Sequence, residues 1–362
     1  MKYIDEYRDK EIAQRILQGI KNISKKKVNL MEVCGTHTVA IFRNGIKEML
    51  PPNIKLISGP GCPVCVTPIR NIDEIIALSR DNDFIITTFG DMIRVPGSTA
   101  NLEKEKANGA NIRIVYSTLD ALEVARNNSS KKVVFMGVGF ETTSPTIAGA
   151  ILKAEKEKID NFFVLSVAKI IPPAMQALLE SGEVDIDGFI CPGHVSAIIG
   201  SRPYDFIAYQ YGIPSVVGGF EPLDILQAIF MLIKQIEGDR AEIEIQYQRV
   251  VKPEGNKIAL EKLNRVFKVV DSEWRGIGKI PLSGLEIREE YKQFNARKFN
   301  VPVEKTKEFP GCRCGEVLRG IIIPPECPLF RKVCTPEDPK GACMVSSEGT
   351  CAAYYKYNER EK

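Results

Sequence analysis

Short apolar runs alternate with longer segments of helical periodicity through most of the chain, and this alternation limits the possible folds most strongly. Eight strand–loop–helix units follow one another between residues 28 and 238. Their apolar runs are Val28–Val33, Ile54–Ile57, Phe84–Thr88, Asn111–Tyr116, Lys132–Val138, Phe162–Val167, Asp187–Ile190 and Pro214–Val217. Strands that alternate with helices form parallel sheets with helices on their faces. The sequence therefore predicts an α/β fold.

The loops after these runs indicate two related halves. Each of the chain's two histidines, His37 and His194, lies three residues after a cysteine. We therefore predict two similar Rossmann-like domains with parallel sheets, side by side, at residues 28–128 and 129–238. Open α/β sheets bind ligands at the carboxyl ends of their strands, so the active site is expected in a cleft between the domains.

The pattern changes outside this region. The first 24 residues have the apolar spacing of an amphipathic helix that packs on another domain. Beyond residue 238 the sequence predicts an exposed strand at Ile243–Tyr247 and a helix at Leu260–Val269, followed by a loop-rich, basic region and a cysteine-rich tail. We assign residues 1–27 plus 239–362 to a third, α+β domain that contains an iron–sulfur cluster.

The composition is that of an ordinary globular protein. The chain has 362 residues, of which 44% are apolar and 26% charged, and this length suits two or three domains. A net charge of +3 does not indicate binding to nucleic acid or to a membrane. We expect a cytoplasmic protein, because the first 27 residues are charged throughout and no apolar stretch could span a bilayer.

Ten cysteines in a cytoplasmic chain need an explanation other than structural disulfides. Four follow apolar runs, namely Cys34, Cys62, Cys65 and Cys191, and six lie in the tail, namely Cys312, Cys314, Cys327, Cys334, Cys343 and Cys351. This placement suggests two kinds of site.

The segment Gly59–Cys65 combines a tight turn with two thiols. Its two glycines and two prolines restrict the backbone, and Cys62 and Cys65 lie within bridging reach of each other. Such a pair can cycle between dithiol and disulfide, and a helix N-terminus lowers the thiol pKa. We favour this redox role. The alternative is half of a zinc site, which would need two further ligands.

Three other strand ends present reactive groups. Cys34, with His37 three residues on, suits a metal ligand or an activated nucleophile, whereas the alternative is a buried structural cysteine. Glu141 and Asp91 are carboxylates that we expect in the cleft, with polar helix caps as the alternative. The loop around Glu141 lacks the third glycine of a dinucleotide-binding motif, and Lys169 follows the next strand instead of an acid, so a dinucleotide site is not expected.

The tail offers well-separated thiols between several prolines. The spacing Cys314-x12-Cys327-x6-Cys334-x16-Cys351 suits a cubane 4Fe–4S cluster. Structural zinc is the alternative, although zinc sites favour paired cysteines two to four residues apart and only Cys312-x-Cys314 comes near this. Cys312 and Cys343 remain possible ligands.

These motifs together resemble the HypD family, whose members take part in the maturation of nickel–iron hydrogenases. The resemblance covers nearly the whole chain, in the blocks Cys34–Thr38, Gly59–Cys65, Thr88–Asp91, Gly139–Thr143, Pro192–Ser196 and Cys312–Ala353. It implies a metal-assembly scaffold with redox activity. Members of this family pair with the small chaperone HypC and hold ferrous iron while two cyanides and one CO are attached. The cyanides come through HypE, with HypF, and the finished group passes to the hydrogenase large subunit.

Carried onto this chain, the resemblance makes Cys34 a ligand of the iron, with His37 beside it. Cys62 and Cys65 become the redox pair. The implied ligands of the 4Fe–4S cluster are Cys314, Cys327, Cys334 and Cys351. Thiolate is a suitable soft donor for iron that binds cyanide and CO.

We hypothesise that the cluster relays electrons through Cys62 and Cys65 toward iron at Cys34. Asp91, Glu141 and His194 would then orient cyanide or move protons. Two competing functions stay open: a cluster-linked thiol–disulfide oxidoreductase independent of hydrogenase maturation, and a zinc-stabilised interaction protein.

Overall fold

The computed structural model describes residues 5–303 and 305–358. Its strands are β1 (Val28–Glu32), β2 (Ile54–Ser58), β3 (Phe84–Thr88), β4 (Ile112–Ile114), β5 (Lys132–Gly137), β6 (Phe162–Ser166), β7 (Gly188–Pro192), β8 (Ser215–Gly218), β9 (Ile243–Ile245), β10 (Phe267–Trp274) and β11 (Gly278–Ile287). The eight predicted strands between residues 28 and 238 are thus all present.

Helices follow nearly every strand. They are α1 (Lys10–Ile23), α2 (Gly35–Arg43), α3 (Ile46–Met49), α4 (Pro63–Val66), α5 (Ile69–Ser79), α6 (Leu102–Ala107), α7 (Thr118–Arg126), α8 (Ser144–Lys156), α9 (Ile171–Ser181), α10 (Gly193–Ile199), α11 (Asp205–Tyr211), α12 (Pro222–Glu237), α13 (Lys257–Val266), α14 (Cys314–Leu318), α15 (Ala342–Val345) and α16 (Thr350–Tyr357). In the part of the chain that the structure describes, none of these helices has the length and apolar character needed to cross a membrane.

The first nine strands form two fully parallel sheets. Sheet 1 has the spatial order β2-β1-β7-β8-β9, and sheet 2 has the order β4-β3-β5-β6. If the strands of each sheet are renumbered along the chain, the orders are 2-1-3-4-5 and 2-1-3-4. This is the order of flavodoxin-like, doubly wound sheets, so the prediction of similar Rossmann-like units is consistent with the structure.

The predicted boundary at residues 128 and 129 does not separate these sheets. The chain forms β1 and β2, leaves to build all of sheet 2 from β3 to β6, and returns at β7 beside β1. Both α1 and β9, which we assigned to the third domain, accompany sheet 1. α1 packs on α12 with Ile20 fully buried, and β9 extends the sheet edge beside β8. Strand periodicity does not specify which strands pair, so sequence order was a poor guide here.

An antiparallel hairpin closes the outer face of sheet 2, in a region for which the sequence predicted a helix and loops. The predicted helix at Leu260–Val269 ends at Val266, and its last residues begin β10, which pairs with β11. Leu285 in β11 donates its N–H to the carbonyl of Ala168 at 3.1 Å, beyond the end of β6. This hairpin was missed because only the two end residues of β10, Phe267 and Trp274, are buried, so the strand lacks a regular apolar pattern.

The two sheets share a core. One continuous buried cluster includes Met31 and Phe189 of sheet 1 together with Ile86, Val134 and Phe163 of sheet 2. The opposite faces have separate cores: α7, α8 and the hairpin cover sheet 2, whereas α1 and α12 cover sheet 1. The shared core holds the two sheets together, and the tail cysteines Cys314, Cys334, Cys343 and Cys351 are buried in that same cluster.

Candidate functional site

The site is built around the switch point of sheet 1, between β1 and β7, where the chain order reverses. Cys34 follows β1 and precedes α2, His37 lies in the first turn of α2, and His194 lies in the first turn of α10, directly after β7. The equivalent switch point of sheet 2 lies between β3 and β5, whose loops contain Asp91 and Glu141. The sequence-predicted residues of both halves therefore lie where doubly wound sheets form their ligand crevices.

The Cys34 loop and the Gly59–Cys65 loop touch through their backbones. Strands β1 and β2 are neighbours, with Glu32 opposite Ser58, so the two loops leave the sheet side by side. Gly35 donates its N–H to the carbonyl of Gly61 at 3.0 Å. A Cβ atom at Gly61 would lie only 2.1 Å from the amide nitrogen of Cys34. Only glycine permits this approach of the two loops.

Cys62 and Cys65 form a disulfide at the start of α4, where their spacing predicted two thiols within bridging reach. Their Cα atoms are 5.3 Å apart, within the ordinary range for a disulfide. Cys65 is fully buried, and its Sγ lies 3.9 Å from the carbonyl oxygen of Ala342, at the start of α15 in the tail. The Cys62–Cys65 disulfide therefore lies between the Cys34 loop and the tail cysteines.

Glu32 is a buried carboxyl group beside Cys34 that the sequence analysis missed. It is 1% exposed and accepts hydrogen bonds from the amide of Cys34 at 3.1 Å and from the hydroxyl of Thr38. Burial raises the pKa of Glu32 to about 8, and burial also raises the pKa of the Cys34 thiol to about 12. The metal-free thiol is therefore protonated at neutral pH, and the activation expected from a helix N-terminus does not offset burial.

His37 is fully buried, and one of its ring nitrogens has no partner. Its Nε2 donates to the carbonyl of Gly219 at 2.9 Å, so Nδ1 carries the lone pair in the neutral ring. Nδ1 is buried without a hydrogen bond among the described residues. Burial lowers the pKa of His37 to about 4, so the ring is neutral near pH 7. A neutral imidazole oriented by a backbone carbonyl is the usual form of a histidine metal ligand.

The ring of Phe220 contacts both histidines. Its ring stacks on His37, with centroids 4.8 Å apart, and on His194, with centroids 3.9 Å apart. His194 itself is exposed. The two Cys-x-x-His segments, predicted to belong to different domains, thus meet on neighbouring strands of one sheet.

A segment of the tail covers both switch points. Thr36 donates its hydroxyl to Glu348 at 2.7 Å, and Ser346 donates its hydroxyl to Asp91 at 2.9 Å. The backbone of Glu348 also packs against Gly35, where a Cβ atom would lie 2.6 Å from the Glu348 carbonyl oxygen. No local sequence pattern marks Ser346 or Glu348, because both lie more than 250 residues from their partners.

Glu141 lies in the interior, whereas we expected its carboxylate in an open cleft. It is 3% exposed, one oxygen accepts the N–H of Ile171 at 3.0 Å, and the other oxygen is buried without a partner. Burial raises its pKa to about 7. At neutral pH this carboxyl group is therefore divided between its protonated and ionised forms.

The tail brings its six cysteines together. A small, mostly apolar cavity is lined by Cys312, Cys314, Cys327, Cys334 and Cys351. Cys343 lies beside them, because its backbone N–H donates to the Sγ of Cys314 at 3.4 Å. The structure therefore does not separate the four predicted ligands from the two spare cysteines.

The donor set of this cavity is compatible with an iron–sulfur cluster. In residues 5–303 and 305–358, no three Cys, His, Asp or Glu side chains are arranged to hold a single metal ion. A cubane 4Fe–4S cluster does not need several ligands around one ion, because each cysteine thiolate binds a different iron of the cluster. The four-cysteine ligand set stays a prediction, as does the zinc alternative.

Comparison with known proteins decides the family. A family model described as HypD, "Hydrogenase formation hypA family", matches residues 10–358. The chain belongs to the HypD family. Hydrogenase maturation factor HypD2 of Bradyrhizobium diazoefficiens is 48% identical, over 99% of this chain and 97% of its own. HypD of Cupriavidus necator is 46% identical over the same shares, and HypD of Escherichia coli K12 is 43% identical over 100% of this chain and 99% of its own.

The first prediction concerns the contact between the two loops of this HypD-family protein. We expect Gly61→Ala to destabilise the fold by more than about 1 kcal/mol, because the clash is with backbone and no side-chain rotation relieves it. Urea unfolding followed by circular dichroism measures this. Gly149→Ala in α8 is the matched control, since nothing lies within 4 Å of the added methyl group. It should stabilise by about 0.5–1 kcal/mol. Equal midpoints for the two variants would contradict the contact.

The second prediction uses the raised pKa of Glu141. The folded state holds the proton more tightly than the unfolded state, whose carboxyl pKa is near 4.5, so stability falls as pH rises from about 4.5 to about 7. Glu141→Gln removes this loss and should stabilise the protein at about pH 8, by up to about 3 kcal/mol. At about pH 5 the gain should be small.

Urea midpoints at the two pH values measure the effect of Glu141→Gln. Glu254→Gln, at an exposed position, is the control for adding an amide. If Glu141→Gln changes stability equally at both pH values, Glu141 does not titrate as its burial requires.

Proposed function

We propose that this chain works in hydrogenase maturation as a redox-active scaffold on which an iron ion receives two cyanides and one CO. The ferrous ion is cargo: it is held at Cys34 and passed on, with its ligands, toward a hydrogenase large subunit. Membership of the HypD family supports the pathway, because relatives of similar length carry the name hydrogenase maturation factor.

The observation that carries this proposal is the meeting of three cysteine groups at one switch point. The Cys34 loop contacts Gly61 of the Gly59–Cys65 loop, and the Cys62–Cys65 disulfide lies against Ala342, next to Cys343 of the tail. An electron-transfer route from the tail to iron at Cys34 needs such proximity. Separate structural cysteines would not need to share one site.

The residues around Cys34 suit a site for a transient iron ion. The thiol supplies a soft donor, which suits ferrous iron that also binds cyanide and CO. His37 Nδ1 is a buried lone pair beside it, and Glu32 is a nearby buried carboxyl that can hold or release a proton. Asp91 and His194 lie at the exposed side of the two switch points, where they could meet incoming cyanide.

A groove beside this site suits a protein partner, which we propose is a HypC-type chaperone. The groove has a volume of about 600 Å³ and lies between α1, α2 and the start of α12. Its walls include the apolar side chains of Leu17 and Val39 and end at Thr36 and Phe220, which border the Cys34 loop. A partner bound here could add its own ligand to iron at Cys34. A HypE-type protein, working with HypF, would then deliver the cyanides.

The tail cysteines would hold a 4Fe–4S cluster, with Cys314, Cys327, Cys334 and Cys351 as the proposed ligands. When bound, such a cluster supplies electrons one at a time. Reduction of the Cys62–Cys65 disulfide to two thiols would take two electrons, supplied one at a time by an external low-potential reductant through the cluster, and two protons from water. The resulting dithiol would keep reducing equivalents beside Cys34 while ligands are attached.

A second function keeps some support from the geometry. The Cys62–Cys65 disulfide at the start of α4 has the position used by thiol–disulfide oxidoreductases. Both cysteines are at most 3% exposed, however, so a protein substrate would not reach them without a rearrangement. Reduction of a disulfide substrate by the isolated chain would favour this function over the scaffold.

The third prediction tests the iron site. Cys34→Ala should abolish iron that co-purifies with a HypC-type partner and shows infrared bands of cyanide and CO, because the thiolate donor is lost. Cys191→Ala is the matched control: this buried cysteine also lies three residues before a histidine but is not proposed to bind iron. Cyanide and CO bands of normal intensity in Cys34→Ala would refute the assignment.

The fourth prediction concerns the tail. After anaerobic purification we expect about four iron and four acid-labile sulfide per chain, with an absorption band that dithionite bleaches. Cys334→Ser should lower both contents together and leave the Cys62–Cys65 disulfide intact. Stoichiometric zinc in a colourless protein would instead support the zinc alternative and remove the electron source.

A further inference from the structure

Arg275 lies at the tip of the β10–β11 hairpin with its charge largely buried. Its side chain is 3% exposed, and only one of its terminal nitrogens has a partner, the exposed Glu308 at 3.1 Å. The other two nitrogens, Nε and Nη1, are buried with no hydrogen bond in the described part of the chain. A buried guanidinium with two unsatisfied donors is costly, so a compensating group on its buried side is expected.

The tip of the hairpin lies against the first cysteines of the tail. Gly276, the next residue, packs so closely that a Cβ atom there would be 2.2 Å from the Cα of Gly315. Gly315 follows Cys314 directly, so the tip of the hairpin is held next to the Cys312–Cys314 segment. Nε and Nη1 of Arg275, unpartnered among the described residues, are therefore buried in a side chain whose neighbour, Gly276, touches the residue after Cys314.

The backbone of Arg275 is also fixed to α4, the helix that begins at the Cys62–Cys65 disulfide. Its N–H donates to the carbonyl of Val66, the last residue of α4, at 2.8 Å. Neither the Arg–Glu308 pair nor this backbone bond uses Nε or Nη1. Salt at the surface weakens the pair with Glu308, because that carboxylate is more than half exposed.

We propose that Arg275 is a positioning residue for the tail cluster, with Nε and Nη1 donating hydrogen bonds to sulfur at the Cys312–Cys314 end of the cavity. Hydrogen bonds to sulfur and a nearby positive charge both stabilise the reduced, more negative form of a cluster and raise its reduction potential. Arg275 thereby makes the cluster easier to reduce. This inference rests on the cluster of the proposed function.

The fifth prediction follows. In the anaerobically purified full chain, Arg275→Gln should shift the midpoint potential of the cluster to a more negative value than in the wild type. Arg275→Lys keeps the charge but loses the planar donor fork, so it should shift the potential in the same direction by a smaller amount. Redox titration followed by absorbance and electron paramagnetic resonance measures both, with iron and sulfide contents determined on the same samples.

Two controls separate this effect from a change in net charge. Lys307→Gln removes an exposed positive charge from the segment beside Glu308, and Glu308→Gln removes only the outer partner of Arg275. Lys307→Gln should leave the potential unchanged. Glu308→Gln should not lower it, because the buried nitrogens keep their sulfur partners.

The outcomes separate this inference from the proposed function. A wild-type chain without iron and sulfide refutes the cluster and this inference together. A wild-type cluster with the same midpoint in Arg275→Gln, or an equal shift in Lys307→Gln, refutes only the role of Arg275. If Arg275→Gln does not retain the cluster, Arg275→Lys decides: a lower midpoint supports the role, and an unchanged midpoint overturns it.

Discussion

The approach of Gly61 to the backbone of Cys34 is the constraint on which the candidate site depends. Parallel pairing of β1 with β2 places the two loops side by side, but it does not by itself bring their backbones into contact. The absence of a side chain at Gly61 allows that contact, and the hydrogen bond from Gly35 fixes it. As a result, the Cys62–Cys65 disulfide is held next to Cys34 by backbone geometry, which side-chain motion cannot change.

The tail completes the arrangement by using contacts distant in sequence. Glu348 and Ser346 form hydrogen bonds with residues that follow strands of the two sheets. In addition, α15 packs on α4, the helix that begins at the Cys62–Cys65 disulfide. The tail therefore bridges sheet 1 and sheet 2 where their switch points face the same region. Burial of the tail cysteines in the core shared by both sheets gives this segment a structural role, in addition to the chemical role that we propose for it.

The sequence predicted the strands well and their grouping poorly. Apolar periodicity marks a strand because it reflects burial of that segment, and every run from Val28 to Val217 became a strand. Pairing depends on packing between distant segments, so nothing in the runs showed that β7 returns beside β1. The hairpin was missed for a related reason: β10 has mostly exposed residues, and its partner contributes the burial.

The same distinction applies to the candidate site. Cysteines and histidines at strand ends could be recognised because they lie in short motifs directly after apolar runs. Glu32 had a weak signal, as an acidic residue at the end of an apolar strand, two residues before Cys34. Glu348, Phe220 and Arg275 had none, because their roles arise from contacts that only the folded chain creates.

Burial also determines what the Cys34 site requires from its surroundings. It raises the pKa of the Cys34 thiol and the Glu32 carboxyl and lowers that of His37, so all three groups favour their neutral forms. If iron binds Cys34 as we propose, it must displace the thiol proton, and the cation would supply the charge that stabilises the buried thiolate. A site of this kind disfavours an empty thiolate and favours a liganded one. That preference suits a scaffold that holds metal during assembly better than a nucleophile that must be ionised in advance.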